Sequence, residues 1–408
     1  MVNFAILLQT AVVCLLPNSF LGVSISIKQG QVSGRRQSTE VGLVDTFLGV
    51  PYAKPPTGRL RFAPPVPLKR FPSGFLIAQN LSKTCYSQKD LSFPGFLGSE
   101  MWNPPTELSE DCLQLNIWAP AAARSQSRPL AVLVWIYGGG FFSGSPSLPL
   151  YNGAILAAKK NVIVININYR LGPFGFLYYG PGSSAPGNVG LLDQRLALEW
   201  IQDNIPNFGG DPKQVTLFGE SAGAASVSSH LISPGSHSLF KNVVMMSGSM
   251  SNRWATATQE EHRRNSNKLA QLVGCRGAGK ENDKEWVHSQ LDCIRQQTSE
   301  KIQWAANKIN AKDVRFLEFA FVPVAQDENF FKKNVHELIR NGDFKRCPVL
   351  IGTVADEGSY WLPYYLSDLI HFNASLPKVS DMSSSIRCIL FNVVFVFYVF
   401  CSRLFAHN

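Results

Sequence analysis

Residues Val215–Phe218 form a short apolar run, followed by Gly219-Glu220-Ser221-Ala222-Gly223 and then by the helix-compatible stretch Ala224–Leu231. A strand, G-x-S-x-G and a helix in immediate succession constrain the fold more than any other feature of this chain. The pattern forces a sharp strand-to-helix turn with one residue in strained backbone geometry. Glycines on both flanks let strand and helix approach closely. Such a turn projects the Ser221 hydroxyl at the carboxyl end of a sheet, with the Ala222 N–H facing the same point. The pentapeptide alone recurs by chance, and its setting gives it weight.

The rest of the chain supplies a sheet for that turn. Leu130–Tyr137 (LAVLVWIY) and Val162–Tyr169 (VIVININY) are apolar almost throughout, as suits strands covered on both faces. Val243–Ser247 and Val349–Thr353 are further candidate strands. Between them Leu191–Asn204 predicts an amphipathic helix, with Leu192, Leu196 and Trp200 on one stripe widened by Ala197 and Ile201. Alternation of strand and helix implies an α/β fold with a mostly parallel sheet and right-handed crossovers. The 408 residues suffice for one large domain, and 45% hydrophobic residues allow a sizeable core.

Gly138-Gly139-Gly140 ends the first of those strands. Three amides without side chains can approach a substrate oxygen, as stabilising an oxyanion requires. Asp356-Glu357 follows the last candidate strand and offers a carboxylate, although spacing alone does not choose between the two. No Cys/His spacing suggests zinc, and no cofactor is implied. The net charge of +9 is scattered singly or in pairs, without the basic stripe that nucleic-acid binding needs.

With these residues in place the chain resembles the type-B carboxylesterases, and among them the cholinesterases. The likeness runs from about Ile25 to about Leu366. It rests on FLGVPYAKPPTGRLRF (Phe47–Phe62), EDCLQLNIW (Glu110–Trp118), WIYGGGFFSG (Trp135–Gly144) and APGNVGLLDQRLALEWIQDNI (Ala185–Ile205), together with FGGDP, TLFGESAG and ADEGS. The resemblance implies an α/β-hydrolase fold and hydrolysis of carboxylic esters through an acyl-enzyme. It makes Ser221 the nucleophile, Glu357 the triad acid, and Gly139, Gly140 and Ala222 the oxyanion hole. Phe93–Pro104 (FPGFLGSEMWNP) is similar to the cholinesterase loop that carries a choline-binding tryptophan, here Trp102. An indole face attracts a quaternary ammonium through its quadrupole. Glu220 and Tyr360 would line the same pocket, and Asp90 its mouth. Phe319 and Leu317 match the acyl-pocket wall, with Leu317 where an aromatic is common. The resemblance also implies disulfides Cys85–Cys112 and Cys275–Cys293, with Cys347 free.

The two ends differ in kind from the body. Residues 1–24 read as a signal peptide, with an apolar run from Phe4 to Leu16 and small residues at Gly22 and Ser24, although no Lys or Arg precedes the run. Export gives meaning to sequons at Asn80 and Asn373. Residues 25–378 read as the esterase domain, incomplete at its C-terminus and lacking the closing part of the sheet. Residues 379–408 form an atypical apolar tail. Its Cys388–Cys401 run of 14 residues is shorter than the roughly 18 a membrane span needs.

The family's catalytic histidine, in an HGxE-like setting after the acid, has no counterpart here. Only His371 and His407 follow Glu357, and neither has that context. The leading reading is a secreted, cholinesterase-like serine esterase, synaptic if a true cholinesterase, acting on small esters and without its base in this chain. The competing readings are a general carboxylesterase, a non-catalytic binder of cationic esters and an adhesion protein. Adhesion would need neither Ser221 nor the glycine loop. No feature of the sequence reports the oligomeric state.

Overall fold

The computed structural model describes residues 22–280, 283–312, 317–361 and 364. Among them, one sheet holds ten strands: β1 Gly22–Ile27, β2 Gly30–Thr39, β3 Gly42–Pro51, β4 Phe75–Ile77, β5 Gln114–Pro120, β6 Leu130–Ile136, β7 Ile163–Ile167, β8 Gly210–Glu220, β9 Asn242–Met246 and β10 Val349–Gly352. Their order is β1-β2-β3-β5-β7-β6-β8-β9-β10, with β4 beside β2. Strands β7, β6, β8, β9 and β10 run parallel. This is the expected α/β sheet. It is extended on its N-terminal side by antiparallel pairs β1–β2, β2–β3, β3–β5 and β5–β7, which the sequence reading did not single out.

Each of the five candidate strands is present. The central ones are covered on both faces, as their near-continuous apolar sequence demands. In β7, Ile163 and Ile165 face the main core. Val164 between them faces a smaller cluster with Val44, Leu48, Trp118, Ala154 and Ala157, under helix α1 (Ala154–Lys160). That is the period-two alternation of a strand expressed as two separate cores.

The expected helix is α2, Val189–Asn204, but it is not amphipathic in its surroundings. Besides Leu191, Leu196, Ala197, Leu198, Trp200 and Ile201, it buries Asp193, Gln194 and Asn204. Each polar group has a partner. Asp193 takes the Arg170 guanidinium at 2.6 and 2.7 Å. The Gln194 amide donates to Ser226 Oγ at 3.0 Å, and its Oε1 lies 3.1 Å from His230 Nε2. The apolar stripe read in the sequence does not include these polar residues, and bonding across the fold lets them be buried beside it.

The chain order places the site. From β6 the chain crosses to β7 on one side, then returns to β8 on the other. The strand order reverses between them, and open α/β sheets bind ligands outside the carboxyl ends of strands at such a point. Gly138–Gly140 leaves β6 there and Ser221 leaves β8.

Strand β1 starts at Gly22, with Val23, Ile25 and Ile27 facing the core. Signal cleavage after Gly22 would leave these residues in place, whereas cleavage after Ser24 would remove Val23. Residues 1–21, Asn373, His371, His407 and the tail with Cys388 and Cys401 lie outside the described residues. No helix among the described residues is long and apolar enough to cross a membrane.

Both expected disulfides are formed, and Cys347 is a free thiol, half-buried at the base of β10. Cys85–Cys112 closes 27 residues around Trp102, and Cys275–Cys293 closes 18. Each restricts the unfolded chain by about 3 kcal/mol in the chain-entropy model. Replacing both cysteines of either pair with serine should lower unfolding stability by roughly that amount in urea titrations. Peptide mapping of unreduced protein should find these two pairs. Cys85 joined to Cys347 would contradict the structure.

Candidate active site

Ser221 closes β8 and caps helix α3, Ala222–Ile232, with φ 55° and ψ −121°. An L-residue holds such a backbone only when its surroundings over-determine it, at a cost of about 1–3 kcal/mol. Its N–H donates to the Met246 carbonyl of β9 at 2.8 Å, and its carbonyl accepts the Ala225 N–H at 2.9 Å. A β-carbon on Gly219 would come 2.5 Å from the Gly223 carbonyl carbon. One on Gly223 would come 2.0 Å from the Ile136 oxygen. Both glycines therefore serve close backbone approach. Gly248, which the sequence reading did not use, does the same against the Ser221 carbonyl at 2.2 Å. Phe141, Ser247 and Leu317 also have positive φ without being glycine, so strain collects on the loops around Ser221.

The glycine loop packs directly on the serine. A β-carbon at Gly138 would lie 3.1 Å from Ser221 Cβ. The Gly139 carbonyl accepts the Phe142 N–H at 3.0 Å, the Ser143 N–H at 2.9 Å and the Ser143 hydroxyl at 3.1 Å. Because a trans peptide sets C=O and N–H on opposite sides, this triple anchor fixes the Gly140 N–H pointing the other way. Ala222 is fully buried at the first position of α3, where its N–H has no intrahelical acceptor. Ser221 itself is half-buried.

The acids divide by environment. Glu357 turns back so that its Oε1 accepts the Val354 N–H at 3.0 Å, while the Asp356 side chain is exposed. Burial, with Glu357 nearby, pushes the Glu220 carboxyl up to about 7. Asp90 lies in the loop closed by Cys85–Cys112. Burial pushes its carboxyl up, but hydrogen bonds from Tyr364 (2.6 Å) and Ser92 (2.9 Å) outweigh this and hold it below its ordinary value.

Rings connect the two ends. Tyr364 meets Phe93 and Tyr360 at 5.2 and 5.4 Å, Tyr360 meets Trp361 at 5.1 Å, Trp361 meets Phe319 at 6.3 Å, and Phe319 meets Phe142 at 4.8 Å. Phe319 Cε2 would also lie 3.1 Å from a β-carbon at Gly140. A continuous aromatic wall thus runs from Asp90 to the glycine loop. Tyr360 is an exposed ring. Desolvation of its hydroxyl raises that group, a hydrogen bond with Tyr364 lowers it, and the Asp90 and Glu220 carboxylates raise it further.

Trp102 is half-buried just after the short helix Leu97–Glu100. Its neighbour Asn103 is locked to Asp90 in both directions, at 2.7 and 2.9 Å. No ring contact or hydrogen bond of the Trp102 indole among the described residues joins it to Tyr360 or Glu220. Leu317 is half-buried in its turn, two residues before Phe319. Asn80, the acceptor residue of the first sequon, is exposed. Phe142, Trp361 and Tyr364 were missed by the sequence reading, because nothing local separates a pocket ring from a core ring.

No described histidine has Ser221 as a partner. His230 is bound between Ser236 and Gln194, and His237 lies on the Leu231 carbonyl. His288 pairs with Asp292, and His336 with Thr256. His262 is fully buried against the Tyr178 ring at 6.4 Å.

The model of the carboxylesterase family matches residues 22–390. The acetylcholinesterase of Danio rerio is 45% identical over 362 residues, 87% of this chain and 55% of that protein. Those of Electrophorus electricus and Bungarus fasciatus are each 43% identical, over 90% and 92% of this chain and 56% and 60% of theirs. The chain belongs to the carboxylesterase family, and it spans somewhat more than half the length of these relatives.

Two tests follow from the geometry. Gly223→Ala drives a methyl group into the Ile136 carbonyl and should lower unfolding stability by about 1–3 kcal/mol or more. Wild-type stability in urea would contradict the close approach. Glu220 has a raised folded pKa, so its contribution is fully present below the unfolded value of 4.5 and is lost as pH rises through about 7. The urea midpoint should therefore fall relative to Glu220→Gln between pH 5 and pH 8, measured as a difference at each pH. A constant difference would show that Glu220 titrates normally.

Proposed function

We propose that this chain carries the serine-esterase site of a choline-ester hydrolase. The strained Ser221 turn, packed against the glycine loop and flanked by Glu220 and the aromatic wall, supports this reading best. In it Ser221 Oγ attacks the ester carbonyl, and the amides of Gly139, Gly140 and Ala222 receive the developing oxyanion. Glu357 orients the base that takes the serine proton. Phe319, beside Gly140, bounds the acyl side together with Leu317, which leaves room for acyl groups larger than acetyl. Trp102, Tyr360 and Asp90 form the path for the cationic group. The acetylcholinesterase names of the relatives agree with this substrate class. Two disulfides suit an oxidising, extracellular setting.

A second reading is favoured by the histidines. None of those among the described residues stands beside Ser221, which is what a binder of cationic esters with little turnover would show. A serine without its base loses on the order of 10⁶ in kcat. Expressed as it stands, the chain should hydrolyse an activated choline ester at a rate close to that of its Ser221→Ala variant. Turnover near that of an intact family esterase, abolished by both Ser221→Ala and His371→Ala, would reject this.

Binding tests the pocket independently of turnover. Trp102→Ala should weaken a quaternary ammonium ligand by about 1–2 kcal/mol and a neutral isostere less. Equal losses would favour a general carboxylesterase. Affinity for the cation should rise from pH 6 to pH 8 as Glu220 ionises, and Glu220→Gln should flatten the rise.

A further inference from the structure

Phe319 lies against Gly140, Phe142 and Trp361, within the site above. It also lines a second cavity, of about 320 Å³, between the Ser251–Ala257 loop and helix α4, Gln259–Leu272. That volume is in the range of small-molecule sites. Its apolar part is Trp254, Ala257, Phe319 and Val322, and its polar part includes Thr256, held to His336 at 3.0 Å.

The lining carries two arginines and two glutamates, of which one pair is joined in an ion pair. Glu318 takes the Arg253 guanidinium at 2.8 Å. Glu261 accepts the Thr258 N–H and hydroxyl at 2.9 and 2.8 Å in the cap of α4. Both carboxylates are thus supplied with donors. Arg264 also lines the cavity, and among the described residues no carboxylate pairs with it. Apolar residues and a guanidinium outside any ion pair, lining one cavity, suit an amphiphilic anion, since the planar fork matches a carboxylate in a bidentate way.

We propose that this cavity binds a small amphiphilic carboxylate, its apolar part against Trp254 and Phe319 and its carboxylate on Arg264. The ligand would press on the acyl-side wall through Phe319. Carboxylic acids are also the product class of the reaction proposed above, and only this product-sensing role rests on that reading. The binding site itself does not.

The test is calorimetric titration of the full chain with 4-phenylbutyrate. One site per chain is expected, with the neutral 4-phenylbutyramide and the Arg264→Gln variant each weaker by about tenfold or more. Arg264 is exposed, so the variant should fold as the wild type does. Saturating tetramethylammonium should leave binding in place, because that cation belongs on the Trp102 side. No measurable binding, equal affinity for acid and amide, or an unchanged Arg264→Gln variant would overturn the proposal. So would displacement of 4-phenylbutyrate by tetramethylammonium, which would put the ligand in the esterase pocket. Failure of tetramethylammonium to bind, with intact 4-phenylbutyrate binding, would count against the choline-ester reading alone.

Discussion

Gly223 lies so close to β6 that a β-carbon there would reach within 2.0 Å of the Ile136 carbonyl oxygen. This approach decides most of what happens at the carboxyl end of the sheet. It lets α3 begin immediately after β8, which forces Ser221 into its strained backbone. It also brings Gly138, two residues beyond Ile136, onto the serine side chain. Neither glycine loop nor serine turn would be correctly placed without the other, because each supplies the packing that holds its partner in an unfavourable conformation. The strain is distributed over Phe141, Ser221 and Ser247, which lie on the loops leaving three neighbouring strands.

Around that fixed point the electrostatics pull in two directions. Burial next to Glu357 works against ionising Glu220, while a cation in the pocket would work for it. The aromatic wall avoids part of this conflict. Rings attract a cation without having to be ionised, so they need no compensating charge when the pocket is empty. Asp90 is kept charged at the far end by hydrogen bonds from Tyr364 and Ser92. In the proposed reading, Asp90 held ionised at the entrance and Glu220 responding to the occupant near the serine would form a coherent pair for a cationic ester.

Much of this was legible in the sequence because it depended on local chemistry. The turn at Ser221 is written in its flanking glycines, and the buried strands in their unbroken apolar runs. The Cys85–Cys112 pairing followed from resemblance, and the structure forms it. What was not legible depended on the fold. Asp193 and Gln194 fall outside the apolar stripe, and only the fold brings Arg170, Ser226 and His230 to them. Gly248 is unremarkable in sequence, because the Ser221 carbonyl that crowds it lies 27 residues earlier. Tyr364 and Trp361 gain their meaning only through rings from distant loops.

The central claim is that Ser221, the glycine loop and the Trp102 side form one pocket for a cationic ester. A crystal structure of the full chain bound to a non-hydrolysable ketone analogue of a choline ester tests it most directly. The account predicts the ketone carbon beside Ser221 Oγ and its oxygen about 2.7–3.1 Å from the amides of Gly139, Gly140 and Ala222. It places the ammonium within about 6 Å of the Trp102 ring centre. A carbonyl oxygen turned away from those amides, or an ammonium lodged against Phe319 instead of Trp102, would contradict it.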